Sequence, residues 1–328
     1  MLQKSSKSAK SLFRELDIRL GFGGGDLYDG DEAANSEKLI HTALDAGIRY
    51  FDTARLYGNG SGEGVLGRTL PAHRDEIILV SKVGILPWSM RTTERVKRKA
   101  TQTAARFLPV AQKWAEALPP AREKPHAFQV SEMKRSLECT LKELKTDYLD
   151  ILLLHEPTAE EAVKPETTAF LEQVRAEGKI RHFGVAGTFD EMQAITNAAP
   201  HLCGVTQFPS DGLNNNMATY QKASLPTAGD ESAIITHSVI KHALTRISSH
   251  FEADPAAAKG WQDATGSAAD DKTALVRYLL ADALQKNPDG VVVFSTSKPE
   301  RILDMVKATT MDTAQLEPLH DVFEAISK

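Results

Sequence analysis

The fold is decided by residues 48–58, Ile-Arg-Tyr-Phe-Asp-Thr-Ala-Arg-Leu-Tyr-Gly, in which a short apolar run ends at Asp52 and is soon followed by Tyr57. This pattern indicates a strand that delivers a carboxylate and a phenol to its exit loop. Two later apolar runs end in the same way, one at Lys82 and the other at His155. Continuous Ile, Leu and Val runs are typical of parallel sheets, and barrel enzymes of this kind place their chemistry where the strands exit. We therefore expect the four titratable side chains to meet at one mouth.

Strand and helix patterns alternate on both sides of this segment. Strands are predicted near residue 20 and at 48–54, 77–83, 148–155, 181–187, 204–208, 233–237 and 290–295, with helices that include 35–47, 62–71, 130–145 and 166–177. About eight strands close an α/β barrel. A chain of 328 residues is long for one ordinary domain but usual for such a barrel. Residues 1–328 are therefore predicted to form a single-domain (β/α)8 TIM barrel.

Residues 85–126, between the third strand and the third helix, interrupt this alternation. They are far longer than a usual strand-to-helix connection, which favours a functional loop. The segment leaves from the strand that carries Lys82, so it begins at the catalytic end of the barrel, and we expect it to form a lid over the mouth. The alternative is that its apolar face packs on the outer helices and contributes only stability.

Composition indicates a globular protein in a reducing compartment. Apolar residues make up 41% and charged residues 25% of the chain, and the formal net charge is -5, which does not favour binding to nucleic acid. Cys139 and Cys203 are far apart and lack metal-ligand spacing, so we expect a cytoplasmic protein with neither a disulfide framework nor a metal site. No window is apolar enough for a signal sequence or a membrane span, and residues 1–10 are predicted to be a frayed tail.

The four titratable side chains together favour proton transfer to a carbonyl oxygen. A nearby Lys82 ammonium is expected to lower the pKa of Tyr57 from its reference value of about 10. Asp52 would compensate the buried ammonium, and a neutral His155 would hydrogen-bond the reacting oxygen. Each residue alone is more often structural, as in an ordinary ion pair or a loop cap. Their joint occurrence at successive strand exits is what favours catalysis, as when a carbonyl receives hydride from a nicotinamide.

Two glycine-rich segments could contact a ligand. The tract that contains Gly23 and Gly24 would let backbone amides approach a ligand closely, although a flexible turn explains it equally well. Residues 62–67 match the dinucleotide pattern Gly-x-Gly-x-x-Gly. In a Rossmann unit those glycines follow the strand directly, and the next strand ends in an acidic residue. Here about eight residues intervene after Ala54, and the next strand ends in Lys82, so the barrel is favoured.

From about Leu20 to about Ala308 the chain closely resembles the aldo-keto reductase superfamily, and bacterial members in particular. The resemblance rests on Phe51-Asp-Thr-Ala with Tyr57-Gly, on Val80-Ser-Lys-Val-Gly, and on Asp147-Tyr-Leu-Asp-Ile-Leu-Leu-Leu-His-Glu-Pro. It implies a catalytic tetrad of Asp52, Tyr57, Lys82 and His155 on an (α/β)8 barrel. It also implies a nicotinamide cofactor, usually NADPH, bound at the barrel mouth without a Rossmann domain.

The resemblance also implies how the cofactor is held. Gln207 would hold the carboxamide, and residues 295–301 would hold the adenosine phosphates. The residues predicted to bind NADP(H) are Gly23, Gly24, Asp52, Gln207, His237, Ser295, Thr296, Ser297, Lys298 and Arg301. Departures from the family pattern affect binding and leave the tetrad intact; they are Ala186-Gly187 in place of Ser-Asn, His237 in place of the stacking Tyr, Met305 in place of Asn or Gln, and Gly25 in place of an aromatic residue.

These observations predict an NADP(H)-dependent oxidoreductase that interconverts a small-molecule aldehyde or ketone with an alcohol, with Tyr57 as general acid or base. One alternative is an NAD(P)-dependent aldose dehydrogenase. Another is a non-catalytic, cofactor-sensing regulatory module, because the β subunits of potassium channels resemble the same family. A monomer and a small homo-oligomer fit the sequence equally well, and no membrane or nucleic-acid partner is expected.

Overall fold

A computed structural model describes residues 8–87, 126–223 and 232–327. Its strands are β1 (Leu20–Gly23), β2 (Tyr50–Asp52), β3 (Ile78–Val83), β4 (Leu149–His155), β5 (Ile180–Ala186), β6 (Val205–Pro209), β7 (Ala233–His237) and β8 (Val291–Phe294). They form a closed barrel in chain order, with every neighbouring pair parallel and β8 returning to β1. This closed order confirms the predicted (β/α)8 barrel. A parallel sheet with helical crossovers has no free edge once it closes.

Helices connect the strands and surround the barrel. They are α1 (Ala9–Glu15), α2 (Ala33–Asp45), α3 (Gly62–Thr69), α4 (Val130–Leu144), α5 (Ala159–Ala162), α6 (Pro165–Ala176), α7 (Phe189–Ala198), α8 (Asn216–Lys222), α9 (Lys241–Ala253), α10 (Pro255–Thr265), α11 (Lys272–Lys286), α12 (Glu300–Val306) and α13 (Glu317–Ser327). Short 3-10 turns lie at Gly24–Asp26, Gly30–Glu32, Tyr57–Gly60, Pro71–Glu76, Pro200–Leu202, Lys307–Thr310 and Ala314–Leu316. None of the helices in these described ranges is long and apolar enough to cross a membrane.

Helix α1 contributes apolar side chains to the barrel's interior cluster at the base. Ser8 caps the helix by accepting a hydrogen bond from the Ser11 backbone N–H at 3.1 Å. Leu12 and Phe13 are buried in that cluster, and the Phe13 ring meets Tyr50 edge-on with the centroids 5.8 Å apart. The prediction of a frayed tail is therefore wrong from Ser8 onward. About two turns of helix with one apolar face become ordered when the barrel supplies a surface to cover.

The glycines of residues 62–67 serve helix packing in this fold. Gly62 begins α3, after the 3-10 turn that contains Tyr57. A Cβ on Gly67 would lie 1.9 Å from the backbone oxygen of Glu143, so α3 approaches α4 too closely for any side chain there. The sequence-based preference for a barrel over a dinucleotide-binding turn agrees with this geometry.

The two ends of the long insertion meet just beyond β3. Ile85 and His126 form an antiparallel bridge, and the Ala127 N–H donates to the Gly84 oxygen at 2.8 Å. The segment therefore leaves and returns beside the strand exit that follows Lys82. Residues 88–125 lie outside the described residues, so a lid over the mouth stays a prediction.

We predict that protonation of His182, near the start of β5, destabilises the fold at acid pH. Burial lowers the pKa of His182 from 6.5 to about 4, and its buried Nε2 has no hydrogen-bond partner among the described residues. Between these values the unfolded chain binds the proton and the folded chain does not, so stability falls as the pH drops. Urea unfolding of wild type and His182→Leu at neutral and acid pH measures the effect. The variant should lose less stability than wild type, and equal losses would contradict the prediction.

Candidate active site

The barrel's alternation brings three predicted side chains to one mouth. Along β2, β3 and β4 every second residue faces the barrel interior, where apolar side chains form one cluster that includes Tyr50, Ile78, Val80, Ile151 and Leu153. The next interior position on each strand is its titratable residue: Asp52, Lys82 and His155. Side chains separated by many residues in sequence therefore lie together at the carboxyl ends of adjacent strands, as predicted.

Asp52 and Lys82 form a buried ion pair at the centre of this mouth. Lys82 Nζ lies 2.5 Å from Asp52 Oδ1 and donates to the Thr53 backbone oxygen at 3.0 Å, and both side chains are only 2–3% exposed. Burial lowers the pKa of Lys82, but Asp52 and the Tyr57 phenol together outweigh it and raise that pKa above its ordinary value. The lysine is therefore an ammonium at neutral pH, compensated in the way the sequence predicts.

Tyr57 lies against this ammonium. Lys82 Nζ is 4.8 Å from the centroid of the Tyr57 ring. The turn that carries the phenol depends on Gly58, whose φ is 58° and whose added Cβ would lie 1.9 Å from the Leu27 oxygen. A larger residue at position 58 would displace the tyrosine.

The expected lowering of the pKa of Tyr57 is wrong in its net direction. Burial is the largest influence and raises the pKa, Lys82 lowers it, and the carboxylates of Asp52 and Glu156 raise it further. The sequence indicates the ammonium of Lys82 but does not show how deeply Tyr57 is buried. Burial removes water from the phenol and so disfavours the charged phenolate. Tyr57 therefore holds its proton at neutral pH, as a general acid must.

His155 completes the cluster from β4. Its ring centroid lies 6.0 Å from that of Tyr57 with the ring planes at 87°, and the histidine is 6% exposed. The phenol and the imidazole both belong to the mouth; Tyr57 lies in the turn that follows β2, and His155 ends β4. An oxygen atom placed between them could receive a proton from one and a hydrogen bond from the other.

Gln207 adds an amide to the same mouth. Its Nε2 donates to Asp52 Oδ2 at 3.0 Å, and because an ionised carboxylate only accepts, the orientation of the amide is chemically determined. The opposite atom, Oε1, is buried without a hydrogen-bond partner among the described residues. A buried acceptor without a partner is costly, so this atom fits a ligand that brings an N–H donor, such as a carboxamide.

The other residues predicted to bind cofactor surround this point. Gly23 ends β1 and Gly24 begins the 3-10 turn that follows it. A Cβ on Gly23 would lie 2.9 Å from Ser295 Oγ, and a Cβ on Gly24 would lie 3.2 Å from the Asp52 backbone oxygen. His237 ends β7 opposite Pro209 of β6. Burial lowers the pKa of His237 to about 4, which leaves a neutral, flat ring at physiological pH. Such a ring fits against a nicotinamide.

The segment after β8 is built as an exposed turn. Thr296 is buried and its Oγ1 accepts from the Lys298 N–H at 3.2 Å, whereas Ser295, Ser297, Lys298 and Arg301 are exposed. Asn35 donates to the Ser297 oxygen at 3.1 Å and ties the turn to α2. Neither cation of the segment forms an ion pair with a described residue, which leaves both able to meet phosphate groups.

The four departures from the family pattern lie around the mouth or in α12. Register places Ala186 opposite His155, and the Gly187 N–H donates to the Gln207 backbone oxygen at 3.0 Å. A Cβ on Gly25 would have no atom of the described residues within 4 Å, at a position where an aromatic residue is common. Met305 is buried within α12 at 5% exposure.

Sequence patterns did not predict two charged groups beside the site, Arg55 and Glu63. Arg55 lies between the two residues that β2 delivers to the mouth, and Glu63 is 1% exposed in the first turn of α3. In a sequence, a glutamate in the first turn of a helix is usually interpreted as a surface residue that complements the helix dipole. In the described ranges no group of three or more His, Cys, Asp or Glu side chains could hold a metal ion.

Comparisons with known proteins agree on one family. The sequence profile of the Aldo/keto reductase family matches residues 19–322. Aldo-keto reductase YhdN of Bacillus subtilis is 27% identical over 189 residues, covering 56% of this chain and 47% of that protein. D-threo-aldose 1-dehydrogenase of Pseudomonas sp. is 29% identical over 185 residues, covering 55% and 52%. These alignments span about half the length of each relative.

The fold is shared with solved structures at low sequence identity. An aldo-keto reductase from Klebsiella pneumoniae in complex with NADPH superposes with a TM-score of 0.60 at 20% identity, covering 93% of this chain and 90% of that one. At this identity the likeness establishes the architecture alone.

We predict that removing either partner of the buried pair destabilises the fold, whereas removing both restores much of the loss. Asp52→Asn leaves a buried ammonium and Lys82→Met leaves a buried carboxylate, each costing about 3–5 kcal/mol. In the double variant no uncompensated charge remains. Denaturant unfolding of the four proteins measures the coupling between the two positions. Losses that simply add would show that the pair does not interact.

Proposed function

The chain belongs to the aldo/keto reductase family, and on that premise we propose that it is an NADP(H)-dependent oxidoreductase that interconverts an aldehyde or ketone with an alcohol. The observation that carries the proposal is the position of Lys82 Nζ, which is paired with Asp52 and lies against the ring of Tyr57. A cation in that position stabilises the phenolate that remains after the proton leaves. His155 adds a second polar group to the same mouth.

Each residue of the cluster has a distinct role in this proposal. Tyr57 donates its proton to the carbonyl oxygen during reduction and takes it back in the reverse direction. Lys82 stabilises the phenolate through its charge, and Asp52 keeps the ammonium charged and in place. His155 hydrogen-bonds the reacting oxygen and orients it. The nicotinamide cofactor, when bound, supplies the hydride that the reduction requires.

The residues around the mouth fit such a cofactor. Gln207 Oε1, which has no partner among the described residues, would accept from the carboxamide, and the neutral ring of His237 would stack on the nicotinamide. Gly23 and Gly24 would leave room for close approach of the ligand to the β1 exit. Residues 295–301 would hold the adenosine phosphates, with Lys298 and Arg301 favouring the additional 2′-phosphate of NADP(H).

The state of Tyr57 favours the reductive direction. Because burial raises the pKa of the phenol, the protonated form dominates at neutral pH, and that form is the acid that reduction needs. Oxidation of an alcohol needs the phenolate and would speed up at higher pH. A dehydrogenase acting on aldoses is the second candidate, supported by the similarity to D-threo-aldose 1-dehydrogenase.

We predict that Tyr57→Phe lowers the turnover number by at least about 10²-fold, because general acid–base groups contribute about 10²–10⁴-fold. Only a hydroxyl is lost, so the dissociation constant of NADPH should stay unchanged. Turnover of simple aldehydes with NADPH is to be compared with turnover of free aldoses with NADP+, which separates reductase from aldose dehydrogenase. Retention of most activity in Tyr57→Phe would refute the assigned role.

Cofactor choice gives a further prediction. Arg301→Ala should weaken the binding of NADPH more than that of NADH, because a guanidinium binds a phosphate through two parallel hydrogen bonds. Fluorescence titration with both cofactors measures the difference. Lys307→Ala is the matched control, since Lys307 ends the same helical segment but is paired with Asp304 at 2.7 Å. Equal weakening for the two cofactors would count against a 2′-phosphate site.

A further inference from the structure

One buried carboxylate outside the barrel contacts both strand exits that carry the proton-transfer pair. Glu63 Oε2 lies 2.5 Å from Arg55 Nη1, and Oε1 accepts from Ser81 Oγ at 2.7 Å and from Thr140 Oγ1 at 2.8 Å. Arg55 precedes Tyr57 in the exit loop of β2, and Ser81 precedes Lys82 in β3. The carboxylate thus contacts both neighbouring segments from the outer side of the barrel.

We propose that Glu63, through its ion pair with Arg55 and its hydrogen bond to Ser81, is a positioning residue that holds Tyr57 against Lys82. The proposal rests on the proton-transfer role assigned above. Ser81 faces the outer layer and Lys82 the interior, because side chains alternate along β3. A contact to Ser81 therefore fixes the strand that carries the ammonium without entering the mouth.

The energetics of burial make this contact rigid. Glu63 is 1% exposed, and the Arg55 side chain is 15% exposed. A buried carboxylate is tolerated only while its charge is paired and its lone pairs are satisfied. Both groups therefore hold each other in place, and Arg55 fixes the exit loop about midway between Asp52 and Tyr57. A shift of about 1 Å in that loop would be enough to lower turnover about 10²-fold.

A positioning role and a purely structural role for Glu63 predict different changes in the pKa of Tyr57. The direction in which that pKa moves when Glu63 is neutralised therefore distinguishes the two roles. Among the described residues, the charged groups that act on the pKa of Tyr57 are Lys82, Asp52 and Glu156. Neutralising Glu63 removes a negative charge from the neighbourhood, which by itself would lower the pKa of the phenol or leave it unchanged. Moving Tyr57 away from Lys82 would raise that pKa.

The test is the pH dependence of carbonyl reduction by Glu63→Gln. Glutamine keeps the size of the side chain and an acceptor oxygen for Ser81 but abolishes the ion pair with Arg55. We expect a turnover number about 10²-fold lower, an alkaline limb displaced to higher pH, and an unchanged dissociation constant of NADPH. An alkaline limb that stays in place or moves to lower pH in an active, folded variant would overturn the proposal.

Two further variants complete the design. Ser81→Ala removes one hydrogen bond to Glu63 and changes no charge, so it is the milder substitution. We expect it to displace the alkaline limb of the pH profile to higher pH as well, and it tests the proposal even where Glu63→Gln does not fold. Asp150→Asn is the matched control, because Asp150 is an equally buried carboxylate paired with Arg74 and Arg181 but lies near the start of β4, away from the mouth. The control should lose stability while its pH profile stays that of wild type.

A spectroscopic readout separates failure of this inference from failure of the proposed function. The ultraviolet difference between the protein and its Tyr57→Phe variant reports ionisation of this one phenol without turnover. In the Glu63→Gln background that ionisation should occur at higher pH than in wild type. Absence of carbonyl reduction in wild type would refute the proposed function alone, whereas an undisplaced ionisation of Tyr57 in Glu63→Gln would refute the positioning role alone.

Discussion

The ion pair between Asp52 and Lys82 is the constraint on which the site depends. An ammonium at 2% exposure is stable only beside an ionised partner with further acceptors in reach, and the carboxylate and the Thr53 backbone oxygen meet that requirement. Asp52 also accepts from Gln207, so one carboxylate connects three strands of the barrel mouth. Loss of this centre would alter the charge, the position and the neighbours of the phenol at once.

The barrel separates chemistry from support by side-chain alternation. Interior positions at the ends of β2, β3 and β4 carry the titratable groups, and the positions between them face the outer helices. Glu63 in α3 uses one of these outward positions, Ser81, to reach a strand whose next residue is Lys82. Glycines at positions 58 and 67 permit the close approaches that this arrangement needs. A supporting residue can therefore act on the mouth without contacting anything bound there.

Desolvation decides the protonation states that the mouth presents. It raises the pKa of Tyr57 above its ordinary value despite the neighbouring ammonium, and it lowers that of His237 to about 4. Both groups are consequently neutral at physiological pH, one as a proton donor and the other as a flat ring. Beside these two neutral groups, Lys82 and Asp52 form a buried ion pair.

The sequence by itself determined the barrel, the strand ends and the cluster of Asp52, Tyr57, Lys82 and His155, because apolar runs and their polar endings are local patterns with the period of a strand. The roles assigned to Gln207 and to residues 295–301 stay predictions that this geometry supports. Only the tertiary structure decided that residues after Ser8 form a helix at the barrel's base, that burial outweighs Lys82 in setting the pKa of Tyr57, and that Glu63 is buried against Arg55. Each of these depends on how much water surrounds a group, which is a property of the packed chain and not of any single segment.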